Sequence, residues 1–233
     1  MKRVFVLLRL VLPGLAWCLA ATSASAGEPG IRLNFDKREN FSAIWTFYSY
    51  NPLLPRTKFN VEHRPTAEDG FVLVVNADSS SGFICTAPKF DLKKFPIMRW
   101  RWRIINNLNV PEGAADPDDQ SGVIYIGDGT RIKQCFVAYR WECNSRVGSW
   151  LHTGYRSGLT SVRSVCLRNR ATKTGEWVTD ERNVIDDFQA IYKRLPLDGF
   201  VLCVGANTQH SKSSTRIEID YIEFLPAPPP AAK

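Results

Sequence analysis

A chain of 233 residues, 44% hydrophobic and 12% aromatic, is long enough to bury a substantial core and is ordinary in composition for a globular protein. Its formal charge of +7 includes Lys2, Arg3 and Arg9, which lie in a leader that export would remove, so the remainder is only mildly basic. That balance, together with export, argues against bulk nucleic-acid binding.

Residues 1–26 read as a secretory signal peptide. Lys2 and Arg3 open the chain, an apolar run extends from Leu10 to Ala21, and Ala24-Ser25-Ala26 supplies small residues before Gly27. Arg9 and Pro13-Gly14 interrupt a run already too short to span a bilayer, so no transmembrane segment is expected after cleavage. Bulky Trp17 stands where a lipoprotein signal before Cys18 would need a small residue. The mature chain is therefore expected in the periplasm or outside the cell. It keeps Cys85, Cys135, Cys143, Cys166 and Cys203. Such a compartment permits disulfides, two at most from these five, with the pairing left open. No pair has C-x-x-C spacing, so neither a redox motif nor a thiolate zinc site is signalled.

Beyond the leader, Ile31 to Phe35 alternates as a short strand. Trp45 to Tyr50 is aromatic-rich, and Asn51-Pro52 and Pro55 then break regularity. Phe71 to Asn76 is a near-continuous apolar run bounded by polar turns, as a buried strand would be. Ser81 to Thr86 follows as its hairpin partner. The segment from Phe95 to Asp128 holds two strand patterns around an acidic loop. In it, Trp100, Trp102 and Ile104 share one strand face and Arg99, Arg101 and Arg103 the other. In Ile132 to Trp141, Cys135, Val137, Tyr139 and Trp141 share one parity, and Phe136 and Arg140 the other. Arg146 to Ser161, rich in Gly and Ser, reads as a loop. Val162 to Leu167, Trp177 to Val184, Phe200 to Val204 and Arg216 to Phe224 complete the strands. Asp186 to Leu195 has helical spacing, with Asp186-Asp187 at its start and Lys193-Arg194 before Pro196. About ten short strands and one helix predict an all-β fold, an antiparallel β-sandwich of jelly-roll type. It would form a single domain over 27–225, followed by a proline-rich, solvated tail at 226–233.

Several runs together resemble a bacterial exported family, the domain of unknown function numbered thirty forty-seven. They are Asn76 to Gly82 (NADSSSG), Trp100 to Ile104 (WRWRI), Pro117 to Asp119 (PDD), Tyr139 to Trp141 (YRW), Arg182 to Phe188 (RNVIDDF), Ala206 to Thr208 (ANT) and Ile219 to Phe224 (IDYIEF). The resemblance covers about Phe41 to Phe224 and implies no established activity. It implies acidic residues just before the ANT run, where this chain has Gly205 and Ala206. The closing IDYIEF is also similar to the last strand of galactose-binding-like jelly rolls, which include carbohydrate-binding modules. That similarity is one of fold and carries no site with it.

Two uses are open for the arginines. If their strands are neighbours, Arg99, Arg101, Arg103, Arg140 and Arg168 line one surface, and guanidinium forks match carboxylate or sulfate groups on an acidic glycan. Otherwise they pair across strands with Glu142, Glu218 or Asp220. Trp100, Trp102, Trp141 and Trp177 have two uses as well; alternation with charged residues places Trp100 and Trp102 on the core side. Trp45, Trp150 and Tyr155, near loops, are candidate exposed platforms for a sugar. No cofactor is signalled beyond a structural calcium ion, whose candidate ligands are Asp116, Asp118 and Asp119, or Asp36 joined with Asp220. No catalytic residues emerge: His63, His152 and His210 lack metal-ligand spacing, and neither a G-x-S-x-G elbow nor a phosphate loop is present. The expected function is non-catalytic binding of a glycan or acidic envelope polymer. The alternatives are a polysaccharide lyase or hydrolase, or a structural envelope protein that meets another protein. Oligomeric state is left open.

Overall fold

The computed structural model describes residues 30–228 except 36–37, 50–52, 116–117, 131 and 198. The predicted signal peptide and the end of the proline-rich tail lie outside the described residues. The described residues form thirteen strands and two α-helices. The first half contains β1 (Ile31–Asn34), α1 (Arg38–Ile44), β2 (Thr46–Tyr48), β3 (Lys58–His63), β4 (Phe71–Asp78), β5 (Ser81–Thr86) and β6 (Ile97–Asn106). The second contains β7 (Gln120–Gly129), β8 (Gln134–Trp141), β9 (Trp150–Tyr155), β10 (Thr160–Arg168), β11 (Val178–Asn183), α2 (Val184–Tyr192), β12 (Val201–Asn207) and β13 (Ser214–Leu225). Among the described residues, no helix is long and apolar enough to cross a membrane.

The strands make a two-sheet β-sandwich of jelly-roll type. One sheet has the order β11-β6-β13-β4-β3, with β1 also pairing with β13; the other runs β2-β5-β12-β7-β8-β10-β9. Pairing is antiparallel except between β8 and β10. The exception comes from β9, a strand lying inside the stretch read as a Gly- and Ser-rich loop. Because β9 occupies the sheet edge and turns back antiparallel onto β10, β10 runs alongside β8 in the same direction. The predicted Ile31–Phe35, Phe71–Asn76 and Ser81–Thr86 strands form where expected, but Ser81–Thr86 is not the hairpin partner of Phe71–Asn76. The short turn between them crosses from one sheet to the other, so β4 pairs with β3 and β13 and β5 with β2 and β12. The short helix α1 and the strand β3 were not foreseen.

Alternation explains the core. Trp100 and Trp102 of β6 point between the sheets and meet Tyr139 and Trp141 of β8, with ring centroids 5.2 Å apart for Trp100–Tyr139 and 5.3 Å for Trp102–Trp141. All four are fully buried. Truncating one aromatic of this size in a core costs about 3–5 kcal/mol. In β4 the apolar run is continuous because both faces are covered. Leu73 and Val75 enter the main core, while Val72 and Val74 pack outward beneath Ala67 and Trp177.

Helix α2 is seated by chemistry at its N-terminus. The Asn183 side chain caps it by accepting from the Asp186 amide at 3.2 Å. Asp187, placed by sequence at a dipole-favoured helix start, has a larger task. It accepts from the buried Tyr139 hydroxyl at 2.8 Å and from Arg182 Nε at 3.0 Å. Burial, and then the neighbouring Asp187 charge, hold the Tyr139 phenol well above its ordinary pKa. At the C-terminus Lys193 takes the left-handed conformation, and Arg194 reaches back to Asp128 at 2.6 Å. Asp187→Ala strands both the Tyr139 hydroxyl and Arg182. We expect it to lower the urea midpoint by the equivalent of about 1.5–3 kcal/mol, and Tyr139→Phe to cost less because it leaves the Arg182 pair intact.

Candidate ligand-binding groove

The arginine stripe exists on β6, but its charge is already neutralised. Arg99 pairs with Glu181 at 2.8 Å and Glu223 at 3.2 Å. Arg101 pairs with the fully buried Asp220. Arg103 pairs with Glu218 at 2.5 Å, and Glu218 also receives Arg64 at 2.9 Å. Trp177 lies against this row, its ring centre 4.7 Å from Arg101 and 4.4 Å from Arg103. Such stacking adds a cation–π contact to each pair. The five arginines do not share a surface. Arg140 and Arg168 belong to the other sheet: Arg140 is buried against Glu142 at 2.7 Å, and Arg168 bonds Asp180 at 2.7 Å. The condition for one cationic face, that β6, β8 and β10 be neighbours, is not met. A strand's parity fixes which way a side chain points but not which sheet carries the strand.

The opposite outer face, that of the seven-stranded sheet, is built differently. Here the outward positions carry rings in a row across the strands. Tyr48 of β2 stacks on Phe83 of β5 with centroids 5.9 Å apart and planes at 14°. Phe83 lies 5.9 Å from Tyr125 of β7, and Tyr125 lies 6.3 Å from Phe136 of β8. Between Phe83 and Tyr125 runs β12, which offers Gly205 and Cys203 at its outward positions. Glycine is required there, since a Cβ on Gly205 would sit 2.6 Å from the Gly82 carbonyl and 2.7 Å from the Phe83 Cβ. On β7, Gly127 leaves room for the Phe136 ring, whose nearest atom would be 2.1 Å from an added Cβ. Cys203 forms a disulfide with Cys85 directly across the β5–β12 pair. Among the described residues, Cys135, Cys143 and Cys166 form no disulfide.

The result is a groove of three adjoining hollows with Phe83 as their common wall. The one at the β12 end holds about 210 Å³ and is lined by Tyr125, Tyr155, Asp118, Gln120, Asn207 and Gln209. A small central hollow of about 30 Å³ lies over Phe136 and Cys203. The third, of about 690 Å³, reaches Tyr48, Gln134 and Arg156. Tyr155 donates to Asp118 at 2.8 Å. Burial, then the neighbouring Tyr125 and Asp118, push its phenol far above the ordinary range. The polar end is braced from beneath. Asn207 donates to the Asp118 carbonyl at 2.8 Å and accepts from the Gln209 amide at 3.1 Å. Asp119, fully buried, accepts from the His210 amide at 3.1 Å and the Ser211 amide at 2.6 Å. Three of the resemblance runs, those ending in Gly82, containing Asp118 and Asp119, and spanning Ala206 to Thr208, therefore converge on one end of the groove.

The other predicted site residues separate. Tyr155 lies in the groove. Trp150 is exposed on β9 at the sheet edge. Trp45 is not a loop platform: it is buried between Phe35 at 6.2 Å and Phe41 at 6.4 Å, because the unforeseen helix α1 covers it. Of the calcium candidates, Asp36 and Asp116 lie outside the described residues. Asp118, Asp119 and Asp220 serve as acceptors for Tyr155, for the 210–211 backbone and for Arg101. Among the described residues no cluster of three or more metal-binding side chains forms. The groove's own rings at Phe83, Tyr125 and Phe136 were missed as a site, although the outward parity of Phe136 was visible in the sequence.

The family described as "Protein of unknown function (DUF3047)" matches residues 43–223. No curated protein matches the chain. Among solved structures, the chain is similar to the xyloglucanase domain of a type three effector from Sinorhizobium fredii, with 9% identity over 86% of this chain and 100% of that one, TM-score 0.42. It is similar to a carbohydrate esterase of Shiga toxin-encoding bacteriophage phi24B, with 10% identity over 84% of this chain and 98% of that one, TM-score 0.44. It is also similar to a family 30 carbohydrate-binding module of a Clostridium thermocellum cellulase, with 11% identity over 87% and 95%, TM-score 0.39. At these identities and scores the likeness assigns no ligand.

On the outer face of the six-stranded sheet, acid acts through Glu218. Burial alone would raise the Glu218 carboxyl, but bonds from Arg64 and Arg103 outweigh it and hold the group below its ordinary pKa. Its ionised form therefore stabilises the fold above the ordinary carboxylate range, and that contribution is lost as pH falls through the depressed folded value. Glu218→Gln is expected to cost about 1.5–3 kcal/mol at neutral pH. The difference from the parent should close in acid, as read from urea midpoints across the pH series.

Proposed function

The chain belongs to the DUF3047 family, and we propose that it is an exported protein that binds a glycan along the groove of its seven-stranded sheet without turning it over. The observation that carries this reading is the row of rings from Tyr48 through Phe83 and Tyr125 to Phe136, bordered by the side chains of Gln120, Asn207, Gln209 and Gln134. A sugar ring has an apolar face and a polar rim. It needs aromatic surface beneath it and hydrogen-bonding groups at its edge, with few charges.

Export is supported by the leader and by the Cys85–Cys203 disulfide, a bond that persists in oxidising compartments. Binding without turnover is supported by the lining itself. Asp118 is the single carboxylate among the described lining residues, and it holds the Tyr155 hydroxyl. Glycosidases need two carboxylates flanking the bond. A lyase base needs to ionise, and Tyr155 is held protonated by burial.

Tyr125→Ala and Tyr48→Ala test the reading on a glycan array followed by titration calorimetry. Each is expected to weaken binding by about tenfold or more, with an unchanged circular dichroism spectrum. Wild-type affinity in both would overturn the groove as the site. A second outcome is expected from the disulfide, since Cys85 and Cys203 line the groove. Saturating glycan should slow reduction of that bond by dithiothreitol, measured by thiol release.

A further inference from the structure

The charges lining the groove narrow the ligand class, given the reading of that groove as a glycan site. Among the described lining residues the charged ones are Asp118, in the hollow at the β12 end, and Arg156, in the hollow toward Tyr48. They oppose each other in sign. Farther along the same face, Arg140 and Glu142 are both buried and neutralise each other at 2.7 Å. Arg99, Arg101 and Arg103, the groups suited to an acidic polymer, sit on the outer face of the other sheet and are bonded to carboxylates.

We infer that the groove takes an uncharged, linear glycan and selects it through amide side chains at the β12 end. A uronate or sulfate entering that end meets the Asp118 carboxylate, with no cationic side chain among the described lining residues of the same hollow to offset the repulsion. Gln120, Asn207 and Gln209 surround the space instead. An amide offers both a donor and an acceptor, matching a hydroxyl, which is also both. Such groups can read a neutral sugar without a charged partner, so discrimination against an acidic one falls to the Asp118 carboxylate. The requirement for a chain rather than one sugar follows from length. The rings sit on β2, β5, β7 and β8, with β12 between, and five strands span roughly 19 Å at the usual spacing. A monosaccharide covers only one of the three hollows.

The test is a panel of linear oligosaccharides in matched neutral and uronic-acid forms, titrated into the mature protein at low ionic strength and at about 1 M salt, where surface electrostatics are screened. Tyr48→Ala and Gln209→Ala are run alongside. The expected result is binding of a neutral chain with an affinity that salt leaves unchanged, weakened by Tyr48→Ala. Gln209→Ala should weaken it by about 3- to 10-fold, the equivalent of one hydrogen bond. Affinity should rise with chain length beyond the disaccharide. Preferential, salt-sensitive binding of the uronate chains that Tyr48→Ala still weakens would overturn the neutral-ligand inference and leave the groove reading standing. Binding indifferent to Tyr48→Ala, or no binding across the panel, would overturn the groove reading and this inference together.

Discussion

The structure depends on one seam of aromatic packing. Trp100 and Trp102 on one sheet meet Tyr139 and Trp141 on the other, and all four are removed from water. Side chains alternate along a strand, so burying these four settles the facing of every neighbour on β6 and β8. Arg99, Arg101 and Arg103 must point outward from one sheet, and Phe136, Ala138 and Arg140 from the other. A one-residue slip of β6 would place three guanidinium groups in the core. The register of the sandwich is therefore held by hydrophobic burial, and the character of its two outer faces follows.

Those faces have opposite physical characters. On the six-stranded sheet, carboxylates from β13 and β11 answer the β6 arginines almost one for one, and Trp177 lies across two of them. Exposed pairs of this kind contribute little individually, but Glu218 and Asp220 are buried and need their partners. A face whose forks are already bonded has little left to offer an anion. On the seven-stranded sheet the outward positions hold rings, two glycines and a disulfide, with polar side chains gathered at one end. Partly buried aromatic edges on a solvent-facing sheet leave apolar surface that a ligand can cover.

Much of this was legible in the residues. The alternation in WRWRI gave the parity of β6, the unbroken FVLVV gave a strand covered on both sides, and the spacing of Phe188, Ile191 and Tyr192 gave α2. What escaped has identifiable causes. Strand β9 is an edge strand whose side chains are mostly exposed, so no hydrophobic period marks it, and Gly154 within it with Gly148, Ser149, Ser157 and Gly158 around it imitate a loop. Trp45 was read as exposed because the helix that covers it is short and carries no strong period. The groove escaped because it is a property of sheet order. Phe83 lies far in sequence from Tyr125 and Phe136, and only the pairing β5-β12-β7-β8 brings the three together. The five arginines failed to gather for the same reason in reverse.

The most direct measurement is hydrogen–deuterium exchange of the protein with and without a saturating glycan. Ligand contact slows amide exchange where it orders or covers backbone. The account predicts that the added protection concentrates in β5, β7, β8 and β12 and in the 207–211 turn. Protection confined to β6 and β13 would contradict it and return the ligand to the arginine face.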